Sequence, residues 1–406
     1  MSLWDRFETL LVGNLPAQVR SNMHLDLLKA CAVGVMNSIL LFIPVILARL
    51  GASAAVISYY ISASYLGVFA SGICLWFMRI WGMRVVSLAS WAVGRFALFF
   101  GVFVSSASGI AVVVTVHTFL EQWVELVNPR LIASLYPVQH RGRILAFVHL
   151  AAGGVIVCIT PIAGWILDGI GHQILMVVAG CCGLGAVVLV ARLMSRVDAG
   201  NMVVENAAPL FGRALWGDRS FVLFLAALVL FGFGSLMPSA IYPSILVGRL
   251  GLTYAEIGML GVLRSGAWLI ALLFGGWLTD RFGGLRCLRA VFLVNALVIL
   301  PYAWAWNGWL LMPSFLALGV VMAGFDMWLM YTIIELADRR LLPQYAALCM
   351  MVVGGRGLVA PLVGLAMLRI GVTEVQLLVG SSILTVSAAV MLSPAMVRNN
   401  GNGLRA

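Results

Sequence analysis

The stretch HTFLEQWVE, residues 117–125, sets His117, Glu121 and Glu125 at four-residue spacing inside a long apolar run. Four residues make about one helical turn, so on a helix the three stack along one face. A carboxylate held away from water can gain and lose a proton near neutral pH, and an imidazole one turn away can relay it. Glu121 with His117 is therefore a candidate proton-transfer pair. Glu125 sits nearer the end of the run and reads as a closing charge. Asp326, inside a second apolar run, is a further candidate for the same chemistry.

Cations recur in the same setting at Arg95, Arg264 and Arg356. A guanidinium stays protonated and offers a planar fork of donors suited to carboxylate or phosphate. Arg264 and Arg356, on two different helices, could clamp an anionic group. The competing reading is a buried Asp326–Arg356 pair that only ties two helices together. Arg95 reads as structural, and His149 is either packed or a partner of Glu121 or Glu125. Asn37, Trp123 and Tyr331 are polar helpers that could line a binding site. Met322 and Met330, one turn either side of Asp326, would make that face soft and adaptable.

These charges need elements that can hold them. Of the 406 residues, 63% are hydrophobic and 10% charged, against about 25% charged in soluble domains. The chain therefore reads as a multi-pass membrane protein. Runs long enough to cross a bilayer fall at 27–48, 54–77, 84–105, 109–132, 144–168 and 173–194, then at 221–243, 254–278, 288–305, 309–334, 346–368 and 375–395. A charge at mid-bilayer costs about 2.5–3.5 kcal/mol, so the few present call for a reason.

Among the basic residues only Arg49, Arg249 and Arg369 fall on one face, and Arg95, Arg264 and Arg356 lie mid-span. The remainder crowd the face that carries both termini, which the positive-inside rule assigns to the cytoplasm. The net charge of +10 thus follows from topology and implies no nucleic-acid partner. The expected organisation is a cytoplasmic amphipathic segment 1–26, a six-helix bundle 27–195, a cytoplasmic linker 196–220, a second six-helix bundle 221–396 and a cytoplasmic tail 397–406. The fold class is all-α, with the helices in two pseudo-symmetric bundles.

The halves repeat. TPIAGWILDGIG at 160–171 aligns with APLVGLAMLRIG at 360–371, and LGASAAVI at 50–57 with LGLTYAEI at 250–257. MRIWGMR at 78–84 and DRFGGLR at 280–286 follow at nearly the same offset. Within GGWLTDRFGGLR the glycines permit a tight turn between helices. This stretch resembles the G-x-x-x-D-R-x-G signature of the major facilitator superfamily, and YPVQHRGR at 136–143 is similar to that family's P-x-x-x-R-G-R loop.

The resemblance covers essentially the whole chain. It implies that Asp280, Arg281 and Gly283, with Arg79 and Arg141, are gating residues, the loop acting as a latch between halves. The first-half copy departs from the pattern, with Met78 at the aspartate position. The resemblance also implies that helices 1, 4, 7 and 10 are central to the cavity. That places His117, Glu121 and Asp326 on central helices and Arg264 and Arg356 on flanking ones. CITPIAG at 158–164 partly resembles a fifth-helix signature of proton-driven drug antiporters, with Thr160 in place of the glycine before Pro161.

The expected function is a secondary active transporter of the inner membrane, proton-coupled and working by alternating access on a small organic anion or zwitterion. One alternative is a multidrug or hydrophobic-metabolite exporter, siderophores included, and another is a non-transporting assembly factor or sensor on the same scaffold. The expected partners are the substrate, protons and the lipid bilayer, with the chain acting as a monomer. No phosphate-binding G-x-x-x-x-G-K-[ST] or zinc H-E-x-x-H motif occurs, so neither an enzyme, a cofactor nor a metal is expected.

Overall fold

A computed structural model describes residues 15–125, 127–197, 218–337 and 341–393, without the side chains of Ser71, Gly72, Glu125 and Pro343. The Glu125 side chain, most of the linker and the tail therefore lie outside the described residues, as does 1–14 of the amphipathic segment. The helices are α1 (Ala17–Arg49), α2 (the bent pair Ala54–Phe69 and Ile73–Trp81) and α3 (Met83–Val102). They continue as α4 (Ala107–Glu125), α5 (Val138–Gly169) and α6 (His172–Ser195). The second half holds α7 (Arg219–Arg249), α8 (Tyr254–Phe282), α9 (Gly284–Trp304), α10 (Gly308–Leu336), α11 (Leu342–Arg369) and α12 (Glu374–Met391).

Eleven of these are long and apolar enough to cross a membrane singly, and the bent pair completes twelve. The fold is thus all-helical among the described residues, as the sequence leads one to expect. Two boundaries differ. The first helix starts at Ala17 rather than near 27. The fourth stops at Glu125, and a separate short helix, Asn128–Leu135, follows with Pro129 in its first turn. Pro129 has no N–H to bond back to the Glu125 carbonyl, and its ring would crowd that carbonyl in a continuous helix.

The repeat is written into the turns. Among the described residues positive φ occurs only at glycines, in pairs: Gly51 (76°) with Gly251 (62°), Gly82 (85°) with Gly283 (84°), and Gly171 (91°) with Gly371 (95°). Side chains bearing a Cβ are strained there, so each pair fixes the same corner in both halves. Ser53 and Thr253 each cap the helix after such a corner, accepting from Val56 and Glu256 backbone N–H.

Contacts follow the same plan. α1 packs on α5 and α6, and α7 on α11 and α12; the halves meet where α5 crosses α8 and α2 crosses α11. All odd-to-even turns, such as 49–54 and 249–254, share the end opposite the termini, called here the far end. One apolar core joins the far part of the first half, including Phe42 and Leu167, to the whole second half. The terminal part of the first half has its own core around Met23, Leu131 and Phe147. The halves are therefore packed together at the far end and parted at the terminal end.

Gly364 on α11 shows how tight this packing is. A Cβ there would overlap the Met237 carbonyl of α7, and a backbone neighbour cannot step aside. Gly364→Ala is expected to lower stability by about 1–3 kcal/mol, read as a lower thermal-unfolding midpoint in detergent. Gly355→Ala, with nothing within reach of its Cβ, is the control that should leave the midpoint in place.

Candidate functional site

The gap at the terminal end is a cavity of about 540 Å³. α1 lends it Asp26, Lys29 and Asn37; α4 lends Glu121, α5 His149, α8 Arg264 and Trp268, and α10 Met322 and Asp326. The lining extends from Leu41 and Ile156 at mid-bundle to Asn128 and Ile132 on the short helix beyond α4. Both halves thus supply walls to one space that reaches the terminal end.

Charges on the first-half wall are paired within that half. Arg95, fully buried on α3, holds Glu121: its Nη2 donates to Oε1 at 3.1 Å, and its Nη1 lies 3.0 Å from Oε2 in ion-pair contact. Its guanidinium also lies 4.2 Å from the Trp91 ring. Lys29 Nζ is 2.5 Å from Asp26 Oδ1, and Tyr136 donates its hydroxyl to Asp26 Oδ2 at 3.0 Å. Hydrogen bonds between charged partners of this kind are shorter and stronger than neutral ones.

The second-half wall is different. Asp326 accepts from the Trp268 indole at 2.7 Å, and among the described residues no cation is in salt-bridge contact with it. Arg264 lines the cavity and takes part in none of the ion pairs found among the described residues. It lies ten residues into α8, about 15 Å from that helix's first turn. An arginine on a cavity wall that shares in no ion pair can receive an anion without first breaking one.

The site residues read from the sequence fall into three groups. Glu121, Asp326, Arg264 and Asn37 line the cavity, as does His149. His117, Arg356, Trp123 and Tyr331 do not. His117 is buried, and its Nδ1 lies 3.2 Å from the Gly94 carbonyl of α3, so this nitrogen faces the neighbouring backbone and the ring is not part of the cavity lining. Arg356 donates to the Leu228 carbonyl at 2.6 Å, its guanidinium 5.1 Å from the Phe325 ring and 5.6 Å from Phe231. It pins α11 to α7; it neither pairs with Asp326 nor joins Arg264 at the cavity. Trp123 packs against Phe77 and Phe119, and Tyr331 is exposed beside the α9 start.

Of the loop residues, Asp280, Arg281 and Arg79 are exposed. Arg281 lies 5.4 Å from the Trp277 ring and 5.5 Å from Phe282, both on its own helix. Gly283 makes the turn between α8 and α9, and Glu335 of α10 accepts from Leu285 N–H just beyond it. Arg141 donates to the Ala133 and Tyr136 carbonyls, both at 3.1 Å, and so binds the loop after α4. Sequence reasoning passed over Asp26, Lys29 and Trp268. The signal for the first two was present: an acid and a base three residues apart, at the helical spacing that brings them together.

A family model described as Major Facilitator Superfamily matches residues 25–361. No curated protein sequence matches the chain. Among solved structures, a nucleoside transporter, NupG, as its D323A mutant, superposes with a TM-score of 0.68 at 13% identity, covering 96% of this chain and 100% of that one. An auto-inhibited peptide transporter of the POT family gives 0.65 at 14% identity, covering 96% and 98%. At such identities the likeness is one of fold.

Proposed function

The chain belongs to the Major Facilitator Superfamily and is a membrane transporter; from that premise we propose that it carries a small organic anion or zwitterion through the central cavity by proton-coupled alternating access. The observation that carries the reading is the contrast between the two walls. First-half acids and bases neutralise one another, whereas Arg264 offers an unspent fork on the opposite wall. An anionic group on Arg264 leaves Asp326 free to take a substrate's cationic group. Glu121, whose side chain is 22% exposed, is the protonation site, and its hold on Arg95 is what protonation would loosen. The terminal end faces the cytoplasm of an inner-membrane protein, two bundles joined by the 196–220 segment rock about the cavity, and the Asp280–Arg281 loop is the latch for the opposite state.

The runner-up is export of bulky hydrophobic compounds, favoured by Met322, Trp91 and Trp268 in the lining. Reconstituted vesicles separate the two. With an imposed pH gradient, uptake of anions and zwitterions from a panel is expected to rise above that in protein-free vesicles and to collapse with a protonophore. Transport of cationic dyes alone, with no anion moved, would overturn the anion reading. Flux that ignores the gradient would overturn the coupling.

A further inference from the structure

At the far end, α5 and α8 belong to opposite halves and are fastened by side chains. Asp168, next to the last residue of α5, accepts from Tyr254 N–H at 2.9 Å and from Ala255 N–H at 2.8 Å. Those are the first two residues of α8, whose N–H groups have no partner within their own helix. Thr253 and Glu256 close the rest of that turn through a reciprocal capping box. Arg49, at the end of α1, completes the fastening. Its Nη1 lies 3.4 Å from Asp168, its Nη2 donates to the Leu252 carbonyl at 2.6 Å, and its guanidinium sits 3.9 Å from the Tyr254 ring centre.

The internal repeat shows that the fold does not require this. By the repeat alignment Asp168 corresponds to Leu368, and Tyr254 to Ala54. The α2–α11 edge, related by the same pseudo-symmetry, therefore has neither the acid nor the ring. Arg249, the counterpart of Arg49, donates to the Tyr302 carbonyl within its own half. The two halves form the same helices and the same glycine corners without a second fastening, so the charged contact is an addition on one edge only.

We propose that Asp168 and Arg49 are the far-end gate of the transport cycle: positioning residues that hold α8 to α5 while the cavity opens at the terminal end, and that must let go for it to open at the far end. The proposal rests on the alternating-access reading above. It gives the cycle a polar catch that water can dissolve, at an edge otherwise closed by apolar packing such as Phe42 against Tyr254.

The test reads which end of the cavity is open. A single cysteine at Asn37, in a background with the seven native cysteines replaced, is labelled in vesicles with a membrane-impermeant maleimide from either side. Without further change it should react from the terminal end. Asp168→Asn and Arg49→Gln should each raise the far-end rate about tenfold or more, as expected for losing charge-assisted hydrogen bonds, and lower the terminal-end rate. Asp168→Glu should restore part of the original sidedness. Unchanged far-end rates in both variants, with monodisperse protein, would overturn the gate. Absence of far-end labelling under any gradient would instead remove alternating access itself.

Hydrogen exchange on the chain with its native cysteines gives an independent reading. Release of the gate by Asp168→Asn should speed exchange at 254–257 and also at 54–57, on the edge that Asp168 does not touch. Faster exchange confined to Tyr254 and Ala255 would mark a lost helix cap and nothing more, and would overturn the proposal.

Discussion

Arg264→Gln is expected to weaken binding of an anionic substrate by more than about 100-fold, on the order of 3 kcal/mol. The side chain lines the central cavity and shares in no ion pair among the described residues. Removing its charge therefore leaves no buried acid stranded, and the protein should stay folded with its thermal midpoint nearly unmoved. Arg264→Lys keeps the charge and loses the planar fork, so it should fall between the two. Arg356→Gln should behave in the opposite way. It lets go of the Leu228 carbonyl and the Phe231 and Phe325 rings, so stability drops while affinity per folded molecule stays within a few-fold. Thermal-shift titration with small carboxylates and phosphates, followed by flux in vesicles with those that bind, measures all three variants. If Arg264→Gln binds the same anions with undiminished affinity, the anion reading is wrong, and retained export of hydrophobic cations would then favour the runner-up.

The opposed behaviour of two arginines that look alike in sequence shows where sequence reasoning reaches and where it stops. Helices and their order follow from runs of apolar residues, because crossing a bilayer imposes a length on each. The 6+6 plan follows from the repeat, whose glycine corners recur at Gly51 and Gly251 and at Gly171 and Gly371. The rotation of each helix about its own axis is another matter. In a chain that is hydrophobic nearly all round, polarity does not mark the inward face. Arg264 and Arg356 both sit mid-span on flanking helices, yet α8 turns its arginine to the cavity while α11 turns its own toward α7. His117 suffers the same ambiguity: it shares a face with Glu121 at four-residue spacing, but the close approach of α3 captures its ring at Gly94. Partners distant in sequence were equally hidden. Nothing local to Glu121 points to Arg95, and nothing local to Asp326 points to Trp268. Asp168 was visible in the repeat as an acid facing a leucine, a difference that gains meaning only once α8 is seen beside it.

Arg95 and Glu121 allow the coupling role to be separated from a structural one. Arg95 is fully buried; its Nη2 donates to Glu121 and its Nη1 lies in ion-pair contact with the same carboxylate. Removing one partner strands the other, at a cost of about 3–5 kcal/mol, whereas replacing both with uncharged residues of similar volume is often neutral. Arg95→Met and Glu121→Gln alone are therefore each expected to lower the thermal midpoint sharply, and the double variant to recover most of it. Transport should not recover in step. If Glu121 carries the proton, the double variant still lacks an exchangeable group, so gradient-driven accumulation stays lost. Exchange of substrate across the vesicle at equal pH needs no net proton movement, and it should return together with stability. A double variant that regains both accumulation and exchange would show that the pair only ties α3 to α4. The next candidate for coupling would then be Asp326, the other lining carboxylate that the sequence singles out, ahead of Asp26, which Lys29 and Tyr136 already hold.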